Sequence, residues 1–336
     1  MTRARATLVS VEDTPYYHCL GRCVRRAFLC GFDERTLRSY EHRRVWMSER
    51  LSLLSETFAI DVCAYTLMSD HYHLVVRLAP GRVRTWSNCD TIGRWARLFQ
   101  GTSQARRFLN NDTLDETGTR RLDADIEKWK CRLGDLSWFM RCFNEFIARK
   151  ANAEDACTGH FWESRFKSQA LLDETALITA MAYVDLNLVR AKLADSIETS
   201  DFTSGQDRLH ELTAKQHPLS RSQRPHLFPF PFMEAETYNA NDYLPFNLKD
   251  YLELIDTTGR VIVQGKRGFI AGDKPRLIHS LSINEDRWVD TVMRLPQHYD
   301  IAIGAPERLR RLAVRWGKRW LRGIGRARDL YLQLSG

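Results

Sequence analysis

Long apolar runs are missing from this chain of 336 residues. No stretch approaches the ~18 apolar residues a membrane span requires, and Met1 to Ser10 contains no apolar core of a secretory signal. The expectation is a cytoplasmic protein, nucleoid-associated in a prokaryote, with no membrane partner. Ordered cysteine usage is missing too. The eight cysteines (Cys19, Cys23, Cys30, Cys63, Cys89, Cys131, Cys142, Cys157) form no C-x-x-C pair and keep no regular spacing. That excludes a zinc ribbon and a disulfide framework and leaves reduced, mostly structural thiols. No internal repeat is present. The composition, 43% hydrophobic and 11% aromatic, excludes a disordered chain and suits one large core or two moderate ones. Fifty Lys and Arg against 42 Asp and Glu give a net charge of +8, which fits a phosphate-rich partner as well as a merely basic surface.

What is present centres on His71-Tyr72-His73, within the stretch Ile60 to Leu78. Ile60 to Leu67 is rich in β-branched and aromatic residues, Ser69-Asp70 supplies turn chemistry, and Leu74-Val75-Val76 resumes the apolar pattern, so a hairpin is expected. Alternation along its second strand sends Tyr72, Leu74, Val76 and Leu78 to the core, and His71, His73, Val75 and Arg77 to the opposite face. Two imidazoles sharing a strand face can share a metal; they can also be ordinary surface histidines.

Pro15 to Cys23 reads as a first strand, followed by the basic residues Arg22, Arg25 and Arg26. Asp33 is expected to cap a helix running to about Thr57. Helical periodicity returns around Ile92, Trp95, Ala96 and Phe99, and a polar, charged segment of about 101–134 reads as a surface insertion. Leu136 to Lys150 repeats apolar residues at helical spacing. Gly159 to Ser168 reads as a strand carrying Arg165 and Lys167, and Asp173 opens a helix through about Ala191. The order β-α-β-β-α-β-α predicts an α+β domain over 1–200, a ferredoxin-like antiparallel sheet with helices on one face. Pro218, Pro225, Pro229 and Pro231, interleaved with Phe228, Phe230 and Phe232, mark 201–237 as a linker or an extended segment docked through aromatics. A mostly helical C-terminal module is expected over 238–336. Its stretch Glu307 to Asp329 carries nine Lys and Arg and two acids, with Leu309, Leu312, Trp316 and Trp320 as a buried stripe. Arg311, Arg315 and Arg319 there face either a nucleic acid or solvent.

The helix after Asp173 holds Tyr183 and, one turn on, Asn187. Leu177, Met181, Val184 and Leu188 define its buried stripe, and Tyr183 points well over 100° away from it at ~100° per residue. An amide oxygen joining two imidazoles would hold Mg²⁺ or Mn²⁺ with positions left open for a phosphate. A phenol, with an ordinary pKa of about 10, needs a nearby cation or base to act as a nucleophile, and it forms a reversible phosphodiester.

Four segments in order, Y-H-C-L-G-R-C (Tyr17 to Cys23), M-S-D-H-Y-H-L-V-V (Met68 to Val76), G-H-F-W-E-S-R-F-K (Gly159 to Lys167) and A-Y-V-D-L-N-L-V-R-A (Ala182 to Ala191), resemble the single-tyrosine transposases of the histidine-hydrophobic-histidine (HUH) endonuclease superfamily. The greatest similarity is to the REP-associated tyrosine transposases. The resemblance spans about Pro15 to Leu193. It implies His71 and His73 as metal ligands, Asn187 as the third, Tyr183 as the nucleophile, and Mg²⁺ or Mn²⁺ as cofactor. The implied activity is nicking and strand transfer of single-stranded hairpin DNA through a 5′-phosphotyrosine link. Family members often pair as homodimers, with the tyrosine acting in cis or in trans, and both arrangements stay open here. Leu188 departs from the family pattern, which has proline after the asparagine. Arg22, Arg25, Arg26, Arg165 and Lys167 are candidates for phosphate contact, and Trp162 for stacking on unpaired bases. Two rival readings remain: a hairpin-binding or regulatory protein on the same fold that does not cleave, and a phosphoesterase using two histidines as acid and base.

Overall fold

A computed structural model describes residues 8–24, 28–34, 36–213, 217, 219–231, 242–265 and 275–332. The expected contacts of Arg25 and Arg26, and the linker residues Pro218 and Phe232, lie outside the described residues. The first strand, β1 (Tyr16–Arg22), precedes a two-stranded ribbon of β2 (Phe32–Asp33) and β3 (Arg38–Ser39). Helix α1 (His42–Thr57) begins only after that ribbon, so Asp33 is not its cap: its carboxylate accepts from Thr36 Oγ1 at 2.6 Å instead and closes a local turn. The hairpin follows as β4 (Ile60–Leu67) and β5 (His71–Leu78).

Four α-helices lie between β5 and the next strand: α2 (Asn88–Ala96), α3 (Ser103–Leu109), α4 (Glu116–Leu133) and α5 (Leu136–Glu154). Ser87, Thr102, Asp115 and Asp135 each accept from a backbone N–H of the following turn, which explains where these helices start. The segment read as a surface insertion contains α4, which buries Leu122, Ile126, Trp129 and Leu133. Trp129 stacks on Trp95 at 5.4 Å, so this helix belongs to the core. Strand β6 (Lys167–Leu171) starts later than Gly159, leaving Trp162 in an isolated bridge to Cys23.

The sheet order is β4-β5-β1-β6, antiparallel throughout, which is the ferredoxin-like arrangement and an α+β fold. A fifth strand, β7 (Ala302–Ile303), lies parallel to β6, so the C-terminal region completes this sheet. Helices cover both faces. Tyr72 meets Phe143 of α5 at 5.0 Å on one side, whereas His73, its neighbour on β5, meets α6 (Glu174–Asp185) on the other. Gly21, opposite Tyr72 in the β1–β5 ladder, has to be a glycine, since a Cβ there would stand 2.5 Å from the Tyr72 ring.

Asp173 caps α6 through Ala176 N at 2.8 Å. The expected single helix to Ala191 is interrupted at Leu186, with α7 (Asn187–Arg190) resuming after it. Helix α8 (Ser204–Thr213) and the buried Phe228 and Phe230 lie in the region read as a linker or as an extended segment docked through aromatics. Beyond it come α9 (Leu248–Val263), α10 (Arg276–Ser280), α11 (Glu285–Met293), α12 (Leu295–His298), α13 (Pro306–Arg315) and α14 (Ile324–Leu330). The basic stretch from Glu307 to Asp329 is two helices. Gly317 (φ 62) and Gly323 (φ 111), both left-handed, separate them, and Trp320 is exposed instead of completing a stripe with the buried Leu309 and Leu312. Asp185, fully buried on α6, accepts from Ser204 Oγ, from Gly205 N at 2.8 Å and from Tyr251 Oη at 2.5 Å. One carboxyl thus pins α6 to α8 and α9. No helix among the described residues is long and apolar enough to cross a membrane.

Candidate active site

Sheet register assembles the site. Arg22 stands opposite His71 and Leu20 opposite His73, while on the other side of β1 His18 faces Gln169 and Leu20 faces Lys167. Directly paired residues share a face, so His18, Leu20, Arg22, Lys167, Gln169, His71 and His73 form one patch. Alternation had placed His71 and His73 on this face. The third histidine, His18, comes from a different strand.

His71 Nδ1 lies 2.5 Å from Asp70 Oδ1, and Asp70 in turn pairs with Arg22 Nη1 at 3.1 Å. Burial lowers the pKa of His71 from its ordinary value; Asp70 opposes that, and Arg22 and Arg190 add to it. His73 is buried, and its pKa is held well below the ordinary value by loss of solvent, with the neighbouring His18 and His71 acting in the same direction. Its Nδ1 lies 2.9 Å from His18 Nε2, and its Nε2 has no hydrogen-bond partner. His18 is pushed down to about 4, chiefly by burial.

Tyr183 reaches this patch from α6. Its ring lies edge-on to His73 at 5.2 Å and to His18 at 5.8 Å between centroids. It is buried rather than surface-facing, because α6 is enclosed on all sides from Thr175 to Asp185. Burial raises its pKa, and Arg190 and Arg22 pull it back. The Arg190 guanidinium sits 3.9 Å above the Tyr183 ring centre, donates to Asn187 Oδ1 at 2.7 Å and donates to Met293 O at 2.9 Å. Asn187 therefore meets Tyr183 through Arg190, and its Nδ2 is buried without a partner. The turn at Leu186 comes before Leu188, which stays buried as a packing residue.

Among the described residues no three His, Cys, Asp or Glu side chains are grouped to hold a metal ion. The chemistry of the donors fits a divalent cation at two positions. His73 Nε2 is open, and Asp70 engages Nδ1 of His71, so a metal at His71 would take its Nε2. The Asn187 oxygen fits only if Arg190 releases it.

A cavity of about 540 Å³ opens beside the patch, walled by His18, Leu20, His73, Phe166 and the C-terminal residues Tyr299 to Ile301, with Arg165 and Lys167 lining it. Both cations are exposed. A larger groove of about 1050 Å³, around Asp61, Arg77 and Phe228, contains none of the site residues. Trp162 lies elsewhere. Its ring packs on Tyr72, across the sheet from the histidines, and its Nε1 donates to Asn144 O at 2.9 Å. Arg311, Arg315 and Arg319 are also not brought to the histidines. Helix α13 starts beside Asp173, past the far end of β6, and Arg315 is paired with Asp13.

The chain is similar to a solved REP-associated tyrosine transposase. That structure, bound to a REP hairpin, superposes with a TM-score of 0.35 and 10% identity, over 62% of this chain and 86% of the other. No protein-family model and no curated protein matches the sequence.

Sequence pattern did not single out His18, Gln169 or Arg190, and gave Asp70 only a place in the turn before β5. For Arg190 a signal existed: it stands three residues after Asn187 and seven after Tyr183, the spacing of one helix face. For His18 the signal was its alternation with Leu20 and Arg22, which becomes meaningful only once β1 is known to pair with β5.

Proposed function

We propose that this chain nicks and rejoins single-stranded hairpin DNA, with Tyr183 as nucleophile and a divalent cation, Mg²⁺ or Mn²⁺, held by His71 and His73. The observation that carries the reading is the meeting of Tyr183 with His73 and His18 beneath the Arg190 guanidinium, from three separate elements. In the step, Tyr183 Oη forms a bond to phosphorus as the bond from phosphorus to the 3′ oxygen breaks. The phenol gives up its proton, the 3′ oxygen takes one up, and a 5′-phosphotyrosine and a 3′-OH result. Arg190, over the Tyr183 ring, would stabilise the phenolate. When bound, the cation would offset negative charge on the phosphate oxygens. Arg22, Arg165 and Lys167 would contact backbone phosphates of the strand.

A second reading, hairpin binding without cleavage, is favoured by two features: Asn187 Oδ1 is engaged by Arg190, and burial raises the Tyr183 pKa. The phosphoesterase reading needs two separated histidines as acid and base, whereas His18 and His73 are bonded to each other. The deciding experiment incubates the purified protein with labelled hairpin DNA and Mg²⁺, Mn²⁺ or chelator, and resolves products on a denaturing gel. A metal-dependent protein–DNA adduct that disappears in Tyr183→Phe supports cleavage. Tight binding with neither adduct nor nick supports the second reading.

A further inference from the structure

The unpartnered His73 Nε2 is the end of a directed chain of hydrogen bonds across three strands. Its start is Gln169, whose Nε2 donates to Asp300 O at 2.6 Å and faces Tyr299 O at 3.4 Å. Carbonyl oxygens only accept, so the carboxamide is oriented with Oε1 toward His18, 2.7 Å from its Nδ1. His18 Nδ1 must then carry a hydrogen. Between His18 Nε2 and His73 Nδ1, 2.9 Å apart, only one hydrogen fits. If His18 supplied it, His18 would be an imidazolium within a buried pair of rings, the state that burial penalises most. The hydrogen therefore belongs to His73 Nδ1, and His73 Nε2 is a lone pair. It is also without a protein donor.

We propose that Gln169 and His18 are positioning residues that hold His73 in the Nδ1–H tautomer, so that Nε2 is kept as an acceptor for the divalent cation. This rests on the metal-binding reading of the site. It gives the C-terminal region a task at the site: the carbonyl of Asp300, two residues before β7, sets the direction of the whole chain. Ladder pairing of His18 with Gln169 holds the first two members in register, so the relay is as rigid as the sheet. Second-sphere partners of this kind typically change metal affinity by about 10–100-fold when removed.

The test is long-range ¹⁵N–¹H NMR of the histidine rings in the metal-free protein, together with Mn²⁺ titration by calorimetry, for wild type, Gln169→Leu and Gln169→Glu. The wild type should show hydrogen on Nδ1 of both His18 and His73. Gln169→Leu should lose that state at His73 and bind Mn²⁺ about 10–100-fold more weakly. Gln169→Glu keeps an acceptor for His18 but has no N–H for the Asp300 carbonyl, and its carboxylate favours the His18 imidazolium, which would donate to His73 Nδ1; the His73 hydrogen should move to Nε2, a directed change that a general packing defect would not produce. Hydrogen on His73 Nε2 in the wild type, or an unchanged tautomer in Gln169→Leu, overturns the relay. The Nδ1–H tautomer in a wild type that binds no Mn²⁺ leaves the relay geometry standing but overturns the cation as its purpose, and with it the metal-binding reading.

Discussion

Acid should destabilise this fold through its buried imidazoles, and His18 allows the effect to be sized. Its pKa is about 4 in the folded chain against 6.5 for the free group, because burial excludes the water that would solvate the imidazolium. As pH falls below about 6.5 the unfolded chain takes up a proton that the folded chain refuses, so the unfolded state gains and stability drops until pH reaches about 4. The loss from His18 is about 1.3 kcal/mol between pH 7.5 and 5.5, and reaches about 3 kcal/mol at pH 4 and below. His73 and His71, whose pKa values are also lowered, act in the same direction. The assay is urea unfolding of wild type and His18→Phe at both pH 7.5 and pH 5.5. His18→Phe should be less stable at pH 7.5, having lost two hydrogen bonds, yet lose about 1.3 kcal/mol less than wild type on acidification. Equal acid-induced losses in the two proteins would refute the argument that His18 is kept neutral by burial.

Asp185→Ala strands a hydroxyl, a backbone N–H and a phenol in the interior, so it should cost about 3 kcal/mol or more, read as a lowered urea midpoint. Asp185→Asn, which keeps an acceptor, should cost less. Arg190→Met removes the cation over the Tyr183 ring and should slow adduct formation by roughly tenfold, the loss of about 1.4 kcal/mol of charge stabilisation, with its pH dependence moved to higher pH. An unchanged pH profile would mean that Arg190 only packs. If Arg165 and Lys167 meet phosphates of the bound strand, the double change to alanine should weaken hairpin binding and reduce the slope of log affinity against log salt by about 0.7 for each phosphate no longer neutralised. A steeper or equal slope, measured by anisotropy over a salt series, would remove them from the interface.

His71 and His73 were legible in the sequence as neighbours on one face because a strand has a period of two. The turn at Ser69-Asp70, the start of α6 at Asp173 and the α5 stripe were legible for the same reason: each depends on residues within one or two turns of chain. The α+β class followed from the order of those elements. The burial of Tyr183 was not legible, since a residue off the apolar stripe is exposed only if nothing covers that side, and here the histidine face of the sheet does. Nor was the separation of α13 from α14, where two glycines take left-handed conformations that helical periodicity does not register.

Amino-acid order alone establishes which residue types face together within a strand or a helix, because that depends only on backbone period. Folding in three dimensions adds that His18 joins His73, that Arg190 lies over Tyr183, and that the carbonyl of Asp300 orients Gln169. Those meetings are set by strand pairing and helix docking, most of them between residues far apart in the chain, and no local pattern encodes which distant partner a side chain will meet.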